Sequence, residues 1–201
     1  MKSRRIGVDV DGVLADFNTA FVALILQVTG KVVPLPPLTW HYHLEHITKE
    51  EHNAVWEVIN DPGAEFLLNM DPLGDPLYLR SVLADLHYAW GADLYFITSR
   101  PGREAKRHTE MWLQDHLDVK HPTVLIDKGG KGPIARGLNL THFIDDRPEN
   151  IEDVAHWSPS TRVFLFDAPY NADTINGVAY KRVTSFTEFG EAVAGKHAVA
   201  F

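Results

Sequence analysis

Asp9 and Asp11 stand on either side of Val10, with Gly12 directly after them, at the end of the β-branched run from Arg5 to Val10. In extended chain two carboxylates two residues apart point the same way. A glycine behind them lets the backbone turn away sharply. Two close anions repel, so the pair asks for a cation or a shared proton. Oxygen donors suit a hard divalent ion, most naturally Mg²⁺. A lone pair of this kind is also what an ordinary strand-end turn looks like, and short motifs match by chance. A second acidic pair favours the metal reading: Phe143-Ile144 runs into Asp145-Asp146-Arg147. Carboxylates ending a buried apolar strand are costly unless they bind something. Asp146 also suits a helix cap or an acceptor that supports the metal shell from outside.

Two further segments suit a phosphoryl group. Phe96-Ile97 leads into Thr98-Ser99-Arg100-Pro101-Gly102, and a hydroxyl, free backbone N–H groups and a helix start can hold phosphate. Arg100 is either a phosphate fork or a surface arginine. Lys128 and Lys131 lie in the glycine-rich stretch Asp127 to Gly132. A lysine there would neutralise an attacking carboxylate and the phosphoryl oxygens. One of the two is expected to function; the alternative is a loop with solvated lysines.

The elements that would carry these groups alternate. Strands are expected over 5–10, 93–98, 123–126, 142–145 and 163–166, and helices over 16–28, 48–59, 76–90, 104–117, 133–138 and 148–155. Alternation implies βαβ units and a Rossmann-like α/β fold, a parallel sheet with helices on both faces. Ligands of such sheets sit beyond the carboxyl ends of the strands, where the carboxylates and Thr98 fall. Residues 18–71 read as a small helical cap inserted after the first strand, with 1–17 and 72–201 as the core. Thr48-Lys49-Glu50-Glu51 looks like a capping box inside it, and Asp61-Pro62-Gly63 a break. Phe17, Phe21, Trp40 and Tyr42 are candidates for an aromatic pocket, although aromatic stripes usually bury area. His41, His43, His46 and His52 have irregular spacing and no nearby cysteine, which argues against zinc.

The 201 residues carry a formal net charge of -8 and no cysteine. That balance disfavours long nucleic acid and acidic membrane surfaces, and thiolate chemistry is excluded. The apolar run Phe17 to Val28 is too short to span a bilayer. A cytoplasmic protein is expected, without membrane partners; a homodimer is left open.

Asp9-Val10-Asp11-Gly12-Val13, Thr98, Lys131 or Lys128, and Asp145-Asp146, in this order, resemble the four motifs of the haloacid-dehalogenase superfamily. The stretches Asp9 to Phe17, Phe66 to Leu73, Phe143 to Asn150 and Asp167 to Asn171 resemble 5′-nucleotidases of the deoxyribonucleotidase type. The resemblance implies a Mg²⁺-dependent phosphomonoesterase acting on a small phosphorylated substrate, a nucleoside monophosphate. Asp9 would form an aspartyl phosphate, and Asp11 would act as acid and then as base. Asp9, the Val10 carbonyl and Asp145 would hold Mg²⁺, with Asp146 supporting. Thr98 and Lys131 would bind the phosphoryl group. Many deoxyribonucleotidases have proline where this chain has Arg100. Thr98 to Gly102, with Thr109, Trp112 and Leu113, is instead similar to polynucleotide 3′-phosphatase domains. A nucleic-acid 3′-phosphate or a sugar phosphate therefore remains an alternative substrate, and a non-catalytic binding protein an alternative class.

Overall fold

The computed structural model describes residues 4–61, 63, 65–173 and 177–195; the side chain of Tyr42 lies outside the described residues. Six parallel strands form one sheet in the order β3-β2-β1-β4-β5-β6. They are β1 (Arg5–Val8), β2 (Asp93–Thr98), β3 (Thr123–Ile126), β4 (His142–Asp145), β5 (Arg162–Phe166) and β6 (Lys181–Val183). The chain runs outward from β1 through β2 to β3, then crosses to β4 on the other side of β1. The reversal leaves a crevice at the carboxyl ends of β1 and β4, the expected ligand position in a doubly wound sheet.

Buried strands are apolar on both faces, and adjacent residues here feed different layers. Val8, Phe96, Ile144 and Phe164 pack in one apolar cluster with Leu79 and Leu83 of α3 (Pro76–Ala84), Trp112 and Leu113 of α4 (Ala105–Leu117), and Phe189 of α7 (Phe186–Ala194). Ile97, Phe143, Val163 and Leu165 face the opposite way, onto Ala135 of α5 (Lys131–Leu138) and Ile151 and Val154 of α6 (Pro148–Trp157).

Between β1 and α3 lie α1 (Phe17–Thr29) and α2 (Lys49–Asn60). Asp16 caps α1 by accepting from Thr19 N, and Gly30 closes it in the left-handed region. Thr48 and Glu51 form the expected capping box. These helices share a cluster of their own, built on Phe21, Leu24, Ile25, Val33, Ile47, Val55 and Ile59. Phe17 and Phe66 pack against both this cluster and the central one.

Several boundaries differ from expectation. β1 stops at Val8, although Asp9 N still donates to Ile144 O. The helix expected to Trp90 changes at Asp85 into a wider turn, Trp90 N reaching Asp85 O. α5 starts two residues before Pro133. β6 and α7 had no counterpart in the expected elements.

His142 opens β4 at the amino end of the sheet, away from the carboxylates. Burial pushes its imidazole down from 6.5 to about 4, and Arg162 and Arg4 add to the effect. Between those values the unfolded chain takes up a proton that the folded chain refuses, so stability falls as pH drops from 6.5 to 4. Over this interval the linkage is worth about 2 kcal/mol. In urea unfolding, His142→Gln should lose about 2 kcal/mol less than the parent over this interval. Identical pH dependence of the two proteins would contradict a neutral buried imidazole.

Candidate active site

Lys131 is the first residue of α5, and its ammonium is buried between two carboxylates. Nζ donates to Asp9 Oδ1 at 2.6 Å and to Asp145 Oδ2 at 2.7 Å. The preceding loop sets this reach. Asp127 Oδ1 accepts from Gly129 N and Gly130 N at 2.8 and 2.7 Å, and Asp153 Oδ2 accepts from Gly132 N at 2.6 Å. Asp127 thus fixes the turn that leads into α5, and Asp153 satisfies a donor that the helix start leaves free. A Cβ at Gly130 would lie 2.7 Å from Asp153 Oδ2, and one at Gly132 2.5 Å from the Asp153 carbonyl oxygen. The glycines thus let α5 sit tightly on α6. Lys128 is exposed, so Lys131 is the lysine that reaches the carboxylates.

The second acidic pair divides its work. Asp145 is fully engaged: Oδ1 accepts from Arg147 N at 2.9 Å and Asn150 Nδ2 at 3.0 Å, and Oδ2 from Lys131 and Asn150. Asp146 Oδ2 accepts from the Tyr170 hydroxyl at 2.5 Å, while its buried Oδ1 has no partner. Asn171 holds the same turn, donating to Asp146 O at 2.6 Å and Phe166 O at 2.8 Å. Gly12 (φ +82°) passes so close that a Cβ there would meet Asp146 Oδ2 at 2.3 Å. The turn after β1 therefore needs glycine twice over, for its dihedral and for this approach.

The donor set fits a hard divalent cation. Asp9, Asp145 and Asp146 each offer an oxygen, and these lie within 4.8 Å of one another. Four carboxylates, those of Asp9, Asp11, Asp145 and Asp146, face two side-chain cations, Lys131 and Arg100. Two formal negative charges remain, the charge of one divalent ion. Burial raises the Asp9 carboxyl well above its ordinary range; Lys131 opposes the rise, and Asp145, Asp146 and Asp11 reinforce it. Burial, and then Asp145, push Asp146 up to about 7. Burial disfavours the Lys131 ammonium, but Asp145 and Asp9 outweigh it and hold the proton more firmly than usual. A cation among these oxygens would draw both carboxyls back down. Asp146, expected as outer support, thus offers the unpartnered oxygen. The Val10 carbonyl, expected on the metal, accepts from Leu14 N at 2.9 Å and Ala15 N at 2.8 Å. Both contacts lie inside the turn.

Thr98 is buried at the end of β2, with Oγ1 3.3 Å from Asp11 Oδ2. Ser99 is exposed and donates to Asp127 Oδ2 at 3.3 Å. Arg100 is neither a surface arginine nor an open fork, since its guanidinium is buried against the Asp11 carboxylate.

Above these groups is a cavity of about 260 Å³. Its floor holds Asp9, Asp11, Thr98 and Lys131, and its wall holds Phe17, Phe21, His43 and Trp56. Phe17 stacks on Phe21 at 5.3 Å, and Trp56 lies 6.2 Å from Phe17. Trp40, more than a third exposed, stands at the rim with its ring 5.4 Å from Tyr170 and the Arg147 guanidinium 4.5 Å above it. Burial, with His52 and His41 nearby, pushes His43 down to about 4, so its ring is an uncharged part of the wall. His43 stacks on His52, whose Nε2 accepts from Trp56 Nε1 at 2.9 Å. Among the described residues the aspartate trio alone forms a metal-competent cluster, and the histidines do not. Trp56, Asn150 and Tyr170 had escaped the chemical reading of the sequence. Tyr170 does lie in the Asp167 to Asn171 stretch, which carried a resemblance but no role.

A model of the family described as 5′ nucleotidase, deoxy (pyrimidine), cytosolic type C protein (NT5C) matches residues 3–197. No curated protein matches the chain in sequence. Solved structures share the fold at low identity. A haloacid dehalogenase-like family hydrolase from Streptococcus pneumoniae is 14% identical with a TM-score of 0.61, covering 97% of this chain and 99% of that one. A haloacid dehalogenase-like hydrolase from Burkholderia xenovorans is 12% identical with a TM-score of 0.58, covering 96% and 97%. CbbY from Rhodobacter sphaeroides in complex with phosphate is 13% identical with a TM-score of 0.53, covering 94% and 96%. Among the described residues no helix is long and apolar enough to cross a membrane. With the family matched over nearly the whole chain and the acidic cluster at the crevice of a haloacid-dehalogenase fold, the protein belongs to the cytosolic type C 5′-nucleotidase family and is a phosphoric monoester hydrolase.

Proposed function

We propose that this enzyme is a Mg²⁺-dependent nucleotidase that hydrolyses nucleoside monophosphates through an aspartyl phosphate on Asp9, in the cytoplasm. The observation that carries the reading is the Lys131 ammonium shared by Asp9 and Asp145, beside the unpartnered oxygen of Asp146. An attacking carboxylate held by a buried cation, next to an all-oxygen cation site, suits in-line attack on a dianionic phosphoryl group. Asp9, Asp145 and Asp146 would hold Mg²⁺, which when bound screens the charge of the phosphoryl oxygens.

Each remaining step falls to the chain's own residues. Thr98 and Lys131 orient the phosphoryl group. Asp9 attacks phosphorus as the ester oxygen leaves, and Asp11 gives that oxygen its proton. Water then attacks phosphorus, Asp11 takes its proton, and Asp9 is released. The aromatic wall supports the choice of a nucleotide: Phe17, Phe21 and Trp56 offer flat apolar faces above a charged floor, which matches the two ends of a nucleoside monophosphate. Residues 18–71 act in this reading as the cap that shields the reaction from water.

The test is phosphate release from deoxy- and ribonucleoside 5′- and 3′-monophosphates, a 3′-phosphorylated oligonucleotide and sugar phosphates, with Mg²⁺ and with EDTA. Nucleoside monophosphates should be preferred, with activity lost in EDTA and restored by Mg²⁺. Preference for the oligonucleotide or the sugars would overturn the substrate and leave the chemistry. EDTA-resistant turnover would overturn the metal.

A further inference from the structure

Arg100 is buried at the end of β2, 3% exposed. Nε lies 3.1 and 2.9 Å from the two Asp11 oxygens, and Nη2 donates to Oδ1 at 2.8 Å. The edge of the guanidinium that could fork a phosphate is therefore spent on Asp11. Its other end is anchored in α4: Nη1 donates to Thr109 Oγ1 at 3.2 Å, and the guanidinium lies 5.7 Å from the Trp112 ring. Those anchors are fixed in turn, Thr109 Oγ1 donating to Ala105 O at 2.7 Å and Trp112 Nε1 to Met70 O at 2.7 Å. The Asp11 side chain, by contrast, is 22% exposed and stands in the turn beyond β1.

We propose that Arg100 is a positioning residue: a bracket from α4 that holds the Asp11 carboxylate where it must give and take protons, rather than a ligand of the substrate phosphate. The inference rests on the reading of Asp9 as nucleophile and Asp11 as acid and base. Asp11 acts twice, donating a proton as the ester P–O bond breaks and the Asp9–phosphorus bond forms, then accepting one from water as that bond is hydrolysed. Proton transfer needs hydrogen-bond reach, and a misplacement of about 1 Å can cost roughly 10²-fold. Thr98 Oγ1 also donates to Asp11 Oδ2, at 3.3 Å, but Arg100 makes the shorter contacts and reaches both oxygens.

The leaving group separates the two roles. 4-Nitrophenolate departs without a proton, so its release from 4-nitrophenyl phosphate needs Asp9 but not a placed Asp11. Hydrolysis of the intermediate needs Asp11 with any ester. Rapid mixing with 4-nitrophenyl phosphate and with a nucleoside 5′-monophosphate, in Mg²⁺, should be run on the parent, Arg100→Gln and Thr109→Val. Arg100→Gln should keep a burst of about one nitrophenolate per enzyme at close to the parent rate, followed by steady turnover roughly 10²-fold slower, with KM little changed. On the nucleotide its first turnover should already be slow. Thr109→Val, which loosens the bracket without touching Asp11, should shift the same quantities in the same direction by less. It carries the test if Arg100→Gln does not fold. Loss of the burst together with a raised KM would show that Arg100 binds the phosphoryl group, and parent-like kinetics would show no role; either overturns the proposal. A parent enzyme inactive on both esters, and on the oligonucleotide and sugar phosphates as well, would remove the nucleophile reading itself, and the bracket with it.

Discussion

Asp9→Asn should abolish turnover, with phosphate release down roughly 10⁴-fold or more, while the protein stays folded. An amide is no nucleophile toward phosphorus, and the remaining groups of the floor can bind an ester without cleaving it. The fold should not suffer, because the Asp9 carboxyl is held well above its ordinary range, first by burial. A carboxyl of that kind contributes its stability at low pH and loses it as pH rises through the folded value. Near neutral pH the charged form is a burden in the metal-free protein. Asparagine has the same shape without the charge, so its melting temperature in EDTA should equal or exceed that of the parent, and Mg²⁺ should stabilise it less. Substantial activity in Asp9→Asn, purified free of host phosphatases, would sink the nucleophile assignment.

Lys131→Met should fail in a different way. It leaves Asp9 and Asp145 buried without their shared ammonium. Removing one partner from a buried ion pair costs about 3–5 kcal/mol, so in EDTA the variant should unfold at markedly lower urea than the parent. Mg²⁺ should restore much of that loss, since a divalent ion among the aspartate oxygens replaces the missing charge. Turnover should stay down by about 10³-fold even then, because the cation on the phosphoryl group is absent. Urea unfolding with and without Mg²⁺, alongside phosphate release, reads both effects. Lys128→Met, at an exposed position, is the control and should match the parent. Equal stability of Lys131→Met and the parent in EDTA would contradict the charge balance drawn here.

Sequence alone reached the sheet and its carboxylates because both obey short-range rules. β2, β3, β4 and most of β5 are apolar runs ended by polar groups, and the parallel order follows from helices between them. Asp9, Asp11, Thr98 and Asp145 are legible because they stand at those ends. The resemblance favours Lys131 over Lys128, but what fixes its reach does not show in the sequence: Asp153, a residue of the next helix, accepts from Gly132 N. The present partners of Arg100 and of the Val10 carbonyl are hidden for a related reason. The sequence shows that a residue can donate or accept, but not that Asp11 has already taken the arginine or that two amides have taken the carbonyl. Trp56 sits on a helix whose pattern shows only burial, and its place on the cavity wall depends on how α1 and α2 meet. β6 is three residues long and carries Lys181 and Arg182, too short and too polar for periodicity to reveal.

The apolar cluster of α1 and α2 meets the central one at Phe17 and Phe66, and that division bears on how such an enzyme diverges. Val33, Ile47, Val55 and Ile59 belong to a small core that contains none of the charged groups of the floor. Changes there can retilt α2 and move Trp56 without disturbing Lys131, Asp145 or Asp146. In the proposed reading, where Trp56 lines the substrate cavity, the preference for one ester over another can drift while the cleavage step is inherited unchanged. A fold arranged this way offers selection two nearly independent dials, and new substrates can be reached through single, individually tolerable replacements.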